Sequence, residues 1–294
     1  MNNGILIFRT DRIGDFLLTL LLINNIKKKY PNSVISVVAS EKNYSYIKTF
    51  DEIDKVILLK NNFLSKIKLI FKLRSNLYDS LIIHDGKNRS KIVSFFLRYR
   101  SKIVCSADLK ETQIQVIKNV CKKMNVNYND SCLDFLDKRE QNILNLPFKD
   151  YIFLHYDEKW FYEKYIKKYV KIEPTEDELI FLINELTLKS NLVITSGKKS
   201  FNLIQNIQKR VDPNKVLVFE NQNLLEIENI VFKSKVLITC HGWISHVASA
   251  KKIKLIDIID KNYPYDKWTS HFRNYNSLNR KPFQILSKEI INLI

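Results

Sequence analysis

The sequence predicts an α/β protein with two Rossmann-like parallel-sheet domains that face each other across a cleft. Short apolar runs of strand character alternate with longer segments whose apolar residues repeat at helical spacing. This alternation is interrupted in residues 125–149, which are polar and weakly periodic, and then starts again. Two successive halves of this kind are typical of two domains that each bury a parallel sheet. We therefore place the domains at residues 1–147 and 148–294.

The composition agrees with two ordinary domains. The chain has 294 residues, of which 45% are hydrophobic and 12% aromatic, which is enough for two cores. It has no uncharged apolar run of about 18 residues and no secretion leader, so we expect a cytoplasmic protein. Its cysteines form no CxxC pair, so the sequence predicts neither a metal site nor a disulfide framework.

The charge of the chain is strongly positive. There are 48 Lys and Arg against 31 Asp and Glu, a formal net charge of +17. This balance favours anionic partners such as nucleotides, nucleic acid or a membrane face, unless it only reflects a general bias toward Lys, Asn and Ile. Lysine clusters at residues 110–123 and 164–171 either contact anionic lipid at the cytoplasmic face of the inner membrane or are solvated helix faces. No zinc, RRM or helix-turn-helix signature supports a nucleic-acid binder.

The first half of the chain opens with a βαβ unit. A strand at residues 5–8 leads into a long apolar helix, which the turn at Tyr30 and Pro31 ends, and a strand at residues 34–39 follows. The remaining predicted strands of this half are 56–59, 81–83 and 103–105, and the remaining predicted helices are 44–50, 63–77, 92–97 and 116–124.

The second half repeats the same alternation. Thr175 and Glu178 have the spacing of a capping box, in which each side chain binds the other's backbone N–H, so they predict the start of a helix. The predicted helices are 178–186, 201–210, 224–233, one that starts in 246–250, and 288–294. The predicted strands are 151–154, 192–195, 216–219, 236–239 and 254–259.

The turn after the first strand carries an unusual set of side chains. Between this strand and its helix lie Arg9, Asp11, Arg12 and Gly14. Ligands of parallel sheets bind at the carboxyl ends of the strands, and a helix N-terminus attracts anions. Asp15 opens the helix, so it is either a favourable first-turn charge or a carboxylate that two arginines hold ionised and ready to accept a proton.

Glycine is rare and is placed selectively. The chain has only five glycines, where the usual frequency of about 7% would give roughly 20. Four of them directly follow an apolar strand run: Gly14, Gly86, Gly197 and Gly242. Each either allows a turn with positive φ or lets a ligand approach the backbone closely.

Two stretches of the chain share features with one known family. Residues 9–20 read RTDRIGDFLLTL, in which a G-D pair precedes an apolar helix that ends near T-L. Residues 236–258 read VLITCHGWISHVASAKKIKLIDI, in which a glycine and a histidine link an apolar strand to a small-residue helix and a further strand. These stretches resemble, in the right order, two motifs of the family 9 glycosyltransferases, the bacterial lipopolysaccharide heptosyltransferases.

This resemblance implies a GT-B fold, with the acceptor on the N-terminal domain and a nucleotide-activated sugar on the C-terminal domain. It implies an inverting, metal-independent transferase that uses no cofactor besides its nucleotide-sugar co-substrate and acts on a cell-surface glycan or lipopolysaccharide core. Asp15 matches the aspartate taken as the general base, which accepts the proton of the attacking hydroxyl. Helix N-termini and basic side chains would stabilise the leaving nucleotide diphosphate.

The resemblance also implies a set of binding residues in each domain. Those for the donor are Lys159, Thr195, Ser196, Gly197, His241, Gly242, Trp243, Ser245 and His246. For the acceptor we place Arg9, Asp11, Arg12 and Gly14 in the turn after the first strand, together with His84 and Asp85, which follow another strand and either contact the acceptor or form a solvated turn. Lys159 is included because residues 155–160, HYDEKW, resemble a family segment that ends in Lys and Trp. Trp160 and Trp243 either stack on a sugar or base or pack internally.

The chain departs from the family pattern in its second half. His241, Gly242 and Trp243 stand where the family has D-T-G, so the acidic residue expected against the donor sugar is absent. Residues 198–199, both lysines, replace another acidic position. A donor with a different base or an anionic sugar would suit these changes, and a GT-B-shaped epimerase, hydrolase or non-catalytic sugar-nucleotide binder stays open. Residues 263–269 are either a loop over the donor or a crossover that returns the C-terminal helix to the first domain.

Overall fold

The computed structural model describes residues 4–106, 110–136, 139, 144–161, 170–196 and 202–294. The chain divides into two compact units, and each unit has a parallel sheet of its own. Unit 1 comprises Met1–Phe135 and Asp266–His271, and unit 2 comprises Leu136–Tyr265 and Phe272–Ile294. The prediction of two parallel-sheet α/β domains is confirmed. The division falls after Phe135, whereas the sequence places it after residue 147.

Unit 1 contains a five-stranded parallel sheet in the order β3-β2-β1-β4-β5. Its strands are β1 Gly4–Arg9, β2 Val34–Ala39, β3 Lys55–Leu58, β4 Leu77–Ile83 and β5 Arg98–Val104. Its helices before residue 135 are α1 Ile13–Lys29, α2 Tyr44–Ile47, α3 Phe63–Arg74, α4 Asn88–Phe95 and α5 Gln113–Lys123. Because β1 pairs with both β2 and β4, the turn after β1 lies beside the end of β4.

Helices cover both faces of this sheet, which explains the continuous apolar runs of its strands. The chain moves one way along the sheet from β1 to β3 and the opposite way from β3 to β5. Since crossovers between parallel strands are right-handed, α1 lies on one face and both α3 and α4 lie on the other. On the second face, Leu69, Leu73 and Val93 share a core with Leu6 and Phe8.

Unit 2 contains a six-stranded parallel sheet in the order β11-β10-β9-β6-β7-β8. Its strands are β6 Tyr151–His155, β7 Asn191–Thr195, β8 Val216–Phe219, β9 Val236–Cys240, β10 Lys254–Ile259 and β11 Tyr275–Asn279. The helices of the second half are α6 Glu176–Thr187, α7 Asn202–Gln208, α8 Leu224–Lys233, α9 Trp243–Ala250, α10 Asp266–Thr269 and α11 Phe283–Asn292. Because β6 lies between β9 and β7, the segments that follow these three strands are neighbours.

The C-terminal helix α11 packs within unit 2. Phe283, Leu286 and Ile290 are buried in the same core as Leu179 and Leu186 of α6. One interpretation of the sequence was that this helix returns to the first domain. The structure shows that it does not. Part of the preceding aromatic segment does belong to unit 1, because α10 lies within Asp266–His271.

Local predictions succeed where the apolar pattern is strong. The capping box is confirmed, because Thr175 Oγ1 accepts from the Glu178 N–H at 3.3 Å and Glu178 Oε2 accepts from the Thr175 N–H at 2.8 Å. The sequence did not predict the edge strand β11, because its sequence YNSLN is polar and lacks an apolar run. Such a polar strand can form here because it pairs with β10 on one side only. The predicted helix start in residues 246–250 is wrong, because α9 begins at Trp243.

Within the described residues, no helix combines the length and the apolar character that crossing a membrane requires.

Candidate functional site

Arg9 places a buried positive charge at the carboxyl end of β1. Its side chain is 3% exposed, and its Nε donates to Thr19 Oγ1 at 2.6 Å while Nη1 donates to Asp11 Oδ2 at 2.9 Å. Burial lowers the pKa of Arg9, but nearby carboxylates, first Asp11 and then Asp15, outweigh burial and raise this pKa overall. The end of β1 therefore carries a permanent cation that attracts acidic groups.

His84 follows β4 and is held as a neutral ring beside this cation. Burial, and then the charge of Arg9, keep the pKa of His84 well below its usual range. Thr19 Oγ1 accepts from Arg9, donates to the Asp15 carbonyl at 3.3 Å and lies 2.9 Å from His84 Nδ1. The described residues offer His84 Nε2 no hydrogen-bond partner. His84 Nε2 is thus a buried polar atom left for a ligand or a water.

Asp85 has contacts that hold two loops together. Its Oδ2 accepts from the Thr10 N–H at 3.1 Å, from Thr10 Oγ1 at 2.5 Å and from Ser90 Oγ at 2.7 Å, and its Oδ1 accepts from the Lys87 N–H at 3.1 Å. Arg89 Nε also donates to Thr10 Oγ1, at 2.9 Å. These bonds use most of the acceptor capacity of the carboxylate. Asp85 therefore ties the segment after β1 to the segment after β4.

Asp15 differs from the two neighbouring carboxylates. It lies in the first turn of α1, whose N-cap is Arg12, and it is partly exposed. Within the described part of the chain its carboxylate makes no hydrogen bond and no ion pair, whereas Asp11 is bound to Arg9. Burial first, with a further contribution from Asp15, raises the pKa of Asp11 against the opposing effect of Arg9. The Asp15 carboxylate is thus close to a buried cation and to a helix N-terminus, but within the described residues it forms neither an ion pair nor a hydrogen bond.

A cavity of about 340 Å³ lies between the end of β5 and α5. Its lining includes the side chains of Cys105, Lys110, Glu111, Asn119 and Lys123. Burial raises the pKa of the Cys105 thiol to about 11, and the positive charges of Arg9 and Lys123 oppose this shift. The predicted acceptor residues do not line this cavity, but it opens beside their strands.

In unit 2, the segment after β6 places a neutral histidine and a cation side by side. His155 Nδ1 lies 2.7 Å from Thr195 Oγ1 at the end of the adjacent strand. Burial lowers the pKa of His155 to about 4, with Asp157 opposing this shift and Lys159 adding to it. Lys159 Nζ lies 2.9 Å from Asp157 Oδ2, and Asp157 Oδ1 accepts from the Lys159 N–H at 3.1 Å. Burial lowers the pKa of Lys159, but Asp157 outweighs it, so this pKa is raised and the ammonium stays charged.

This ammonium lies against the start of α9. A Cβ added to Gly242 would collide with Lys159 Nζ. Gly242 has φ −171°, an extended conformation open to any residue, so a larger residue here would meet no backbone strain and would only displace the end of the Lys159 side chain. Gly86, in contrast, has φ 62° and fits the turn explanation. A lysine cation therefore lies at the positive end of a helix dipole, which is an arrangement suited to an anion.

A buried carboxylate fixes His241 beside this helix start. Asp257 is fully buried on β10, and its Oδ2 lies 2.6 Å from His241 Nδ1. Ser245 Oγ donates to Asp257 Oδ1 at 2.8 Å, and the Gly242 N–H donates to Ser245 Oγ at 3.2 Å. The carboxylate thus places the proton of the His241 ring on Nδ1 and leaves Nε2 for other contacts. Tyr265 packs on the ring edge-on, with centroids 4.6 Å apart.

The remaining predicted donor residues have different positions. His246 is buried one turn into α9 and packs edge-on against Phe272 at 4.9 Å, so it is not at the helix start where the sequence placed it. Trp243 is the first residue of α9. Ser196 is buried directly after β7, and the described residues offer its hydroxyl no hydrogen-bond partner. Gly197 and the lysines 198–199 lie outside the described residues.

Trp160 belongs to the core. It is fully buried, stacks on Tyr156 with centroids 5.2 Å apart, and its indole N–H donates to the His155 carbonyl at 3.0 Å. The packing interpretation of Trp160 is therefore the one the structure has.

Two residues that the sequence did not single out hold this cluster in place. One is Asp257, whose only sequence signal is a lone acid within the apolar run KLIDII. The other is Arg280, which follows the unpredicted strand β11 and donates from Nη2 to the Lys159 carbonyl at 2.7 Å and from Nε to the Val170 carbonyl at 3.1 Å. Arg280 thus fixes the backbone that carries the Lys159 side chain.

No protein-family model matches this chain, and no curated protein matches it in sequence. Solved structures do resemble it. The E. coli heptosyltransferase WaaC with ADP is 13% identical, with a TM-score of 0.73 over 99% of this chain and 98% of that one. A glycosyl transferase family 9 structure from Veillonella parvula is 14% identical, with a TM-score of 0.73 over 99% and 92%. UDP-GlcNAc 2-epimerase from Methanocaldococcus jannaschii is 10% identical, with a TM-score of 0.57 over 100% and 92%. The fold of the chain is therefore the GT-B fold that the sequence motifs imply.

Proposed function

We propose that this protein is an inverting glycosyltransferase that moves a sugar from a nucleotide-sugar donor to a cell-surface glycan or lipopolysaccharide core. The observation that carries the proposal is the arrangement of Lys159 at the start of α9, which presents a cation and helix N–H groups to one anion. The likeness to a heptosyltransferase structure that contains ADP supports the same class of ligand.

Asp15 is the general base in this proposal. As the acceptor hydroxyl attacks the anomeric carbon, its proton passes to the Asp15 carboxylate, and the bond from that carbon to the diphosphate oxygen breaks. The electron pair leaves with the diphosphate, and a single displacement inverts the anomeric centre. Asp11 is bound to Arg9 and Asp85 is bound to two loops, so of these three carboxylates Asp15 is the one free to accept a proton.

Unit 2 stabilises the leaving group. The diphosphate gains negative charge as the glycosidic bond breaks, and fixed positive groups at that position lower the barrier. Lys159, held charged by Asp157, and the first N–H groups of α9 supply that charge without a metal. Gly242 has no side chain, so the Lys159 ammonium can lie close to this backbone, where it meets the diphosphate.

His241 takes the position of the acidic residue in the family motif. With Nδ1 bound to Asp257, its Nε2 accepts a hydrogen bond from a sugar hydroxyl when the ring is neutral and donates one to an anionic sugar when the ring is charged. In unit 1, the buried His84 Nε2 offers the acceptor a polar contact, and the lysines that line the cavity beside β5 favour an acceptor that carries negative charge.

The test begins with donor identification. ADP-, GDP-, UDP- and CMP-sugars are screened by thermal shift, since a ligand at 100 times its dissociation constant stabilises the fold by about 2.7 kcal/mol. With the donor in hand, Asp15→Asn should lower kcat by about 100-fold or more and leave the donor dissociation constant unchanged. The matched control is Asp51→Asn, an exposed acid of unit 1 that should keep full activity. An Asp15→Asn enzyme with unchanged kcat would overturn the role of Asp15.

A nucleotide-sugar epimerase is the second candidate, because an epimerase structure shares this fold at a TM-score of 0.57. The two functions differ in their need for an acceptor. A transferase turns over its donor quickly only when acceptor is present, whereas an epimerase or hydrolase converts the donor alone. Conversion of the donor without acceptor at the full rate would therefore favour the second candidate.

A further inference from the structure

Two helices of unit 1 expose a group of large apolar side chains. We call this group the α3–α4 face, and it consists of Phe63, Leu64, Phe71, Ile92, Phe95 and Phe96. The exposed fractions reach 74% for Phe63, 69% for Phe71 and 76% for Phe95. Single exposed apolar residues are ordinary, but six large ones on two helices that share one core mark a surface that binds something.

The pattern of α3 shows that the exposure is systematic. Phe63, Ile67 and Phe71 are spaced four residues apart and so form one stripe along the helix. Leu69 and Leu73 lie on the other side, where they are buried in the core. The helix is therefore apolar on two sides, although only one side contacts the sheet.

The pattern of α4 is the same. Val93 is buried in the core that α3 also contributes to, while Ile92 and Phe95, three residues apart, are exposed. Phe95 and Phe96 pack edge-on, with ring centroids 5.3 Å apart. Because both helices cover the same face of the sheet, their exposed sides point the same way.

The charge around these side chains has a single sign. Residues 60–78 contain five Lys and Arg, residues 86–104 contain six, and neither segment contains an acid. Among the described residues, no carboxylate forms an ion pair with Lys68, Lys72 or Lys91, although Arg100 is paired with Asp79. Apolar side chains and uncompensated cations therefore share one surface.

We propose that the α3–α4 face docks on the surface of an anionic lipid bilayer. Aromatic and aliphatic side chains at the headgroup level and lysines on lipid phosphates are the two contacts that peripheral membrane binding combines. A nucleic acid would use the cations but would leave Leu64 and Ile92 in water. A second copy of this chain would bring like charges together. The proposal stands apart from the transferase function and does not depend on it.

This surface differs from the two lysine clusters that the sequence suggested for lipid contact. Residues 162–169, which make up most of the second cluster, lie outside the described residues. In the first cluster, α5 exposes no large apolar side chain among those described, so it offers charge without an apolar contact. The α3–α4 face is the surface that offers both.

The test is co-sedimentation of the full chain with vesicles in the absence of any substrate. We expect binding to vesicles of phosphatidylcholine and phosphatidylglycerol, weakened by salt, and little binding to phosphatidylcholine alone. The double variant Phe71→Ser with Phe95→Ser should lower the partition coefficient by about tenfold or more, because it removes two inserted rings. Lys68→Glu with Lys72→Glu should lower it by a similar factor.

Matched controls come from unit 2. Leu188→Ser removes an apolar side chain that is 76% exposed, and Lys215→Glu reverses an exposed lysine, and neither should change vesicle binding. Thermal unfolding of every variant should coincide with that of the wild type, since the substituted side chains are exposed.

Three outcomes would overturn the proposal. The first is equal binding to neutral and anionic vesicles, and the second is binding that both double variants retain. The third is a wild type that binds no vesicles but is a dimer by light scattering and becomes monomeric in the phenylalanine variant. Since no substrate enters these measurements, their failure is distinct from a failure of the transferase assay.

Discussion

The ammonium of Lys159 lies in the space that a Cβ of residue 242 would occupy. Lys159 follows β6 and Gly242 follows β9, so two neighbouring strands of one sheet bring them together. Asp157 keeps the ammonium charged, and Arg280 holds the backbone of Lys159 by its carbonyl oxygen. The result is a cation fixed at a helix N-terminus. The ammonium and the positive end of the helix dipole repel each other, and a bound anion would relieve this repulsion.

Gly242→Ala should weaken the binding of the nucleoside diphosphate that the donor screen identifies by about tenfold, because the new methyl group displaces Lys159 Nζ from the helix start. Folding should change little, since the displaced atom is the end of a flexible side chain. Isothermal titration calorimetry measures the affinity, and urea unfolding checks the fold.

A double-mutant cycle tests whether this effect passes through Lys159. In a Lys159→Met background the ammonium is gone, so adding Gly242→Ala should cause little further loss of affinity for that nucleoside diphosphate. Equal losses in the two backgrounds would show that the methyl group blocks the ligand itself.

Asp257→Ala should lower the free energy of unfolding by about 2–4 kcal/mol, because it leaves the partly buried His241 and the buried Ser245 without their acceptor. Asp150→Ala, at an exposed ion pair with Lys235, serves as the control and should cost less than about 1 kcal/mol. Urea unfolding at pH 7 measures both. A loss at residue 257 no larger than the control would contradict the network seen around Asp257.

Acid should destabilise the protein through His155. Burial lowers the pKa of His155 to about 4 in the folded state, while the unfolded state keeps the usual value of about 6.5. The unfolded chain therefore binds the proton first, and stability present above pH 6.5 is lost as the pH falls toward 4, by about 3 kcal/mol for this one group. His84, whose pKa is also lowered, acts in the same direction.

The comparison that isolates His155 is the slope of stability against pH. His155→Gln retains a polar group but cannot take up a proton, so its unfolding free energy should depend less on pH between 6.5 and 5 than that of the wild type. Parallel pH profiles for the two proteins would rule out His155 as the source of the slope.

Leu286→Ala should cost about 2–5 kcal/mol if α11 packs in the core of unit 2, since Leu286 is fully buried there. Its neighbour Ile285 is 52% exposed, so Ile285→Ala is a control on the same helix and should cost less than about 1 kcal/mol. Thermal unfolding compares the pair directly. Similar costs at both positions would place α11 elsewhere.

Sequence reasoning succeeded where the signal is local. Residues 34–39 and 254–259 read as strands, and residues 224–233 read as a helix, with the bounds that the structure has. Buried parallel strands are apolar without interruption, and a helix stripe repeats within a few residues, so both can be recognised without knowing their partners. The edge strands β5 and β11 have one neighbour each and a mixed composition, which is why one was shortened and the other missed.

The positions of some predicted site residues could be inferred for the same reason. Asp15 and Gly242 follow apolar strands, and the topology of a parallel sheet alone says that each lies at the carboxyl edge of its own sheet. Asp257 and Arg280 could not be found in this way, because each acts through residues far away in the sequence.

By itself, the sequence determined the two βα-repeating halves, the strand ends that carry Arg9, Asp15 and Lys159, and a motif pair typical of one fold. Only the tertiary structure decided which carboxylate is committed to Arg9 and which is not, which group fills the space beside Gly242, and which side of α3 is left exposed. The physical reason is range. Periodicity and capping arise from neighbours along the chain, whereas hydrogen-bond partners, excluded volume and burial depend on groups that folding brings together.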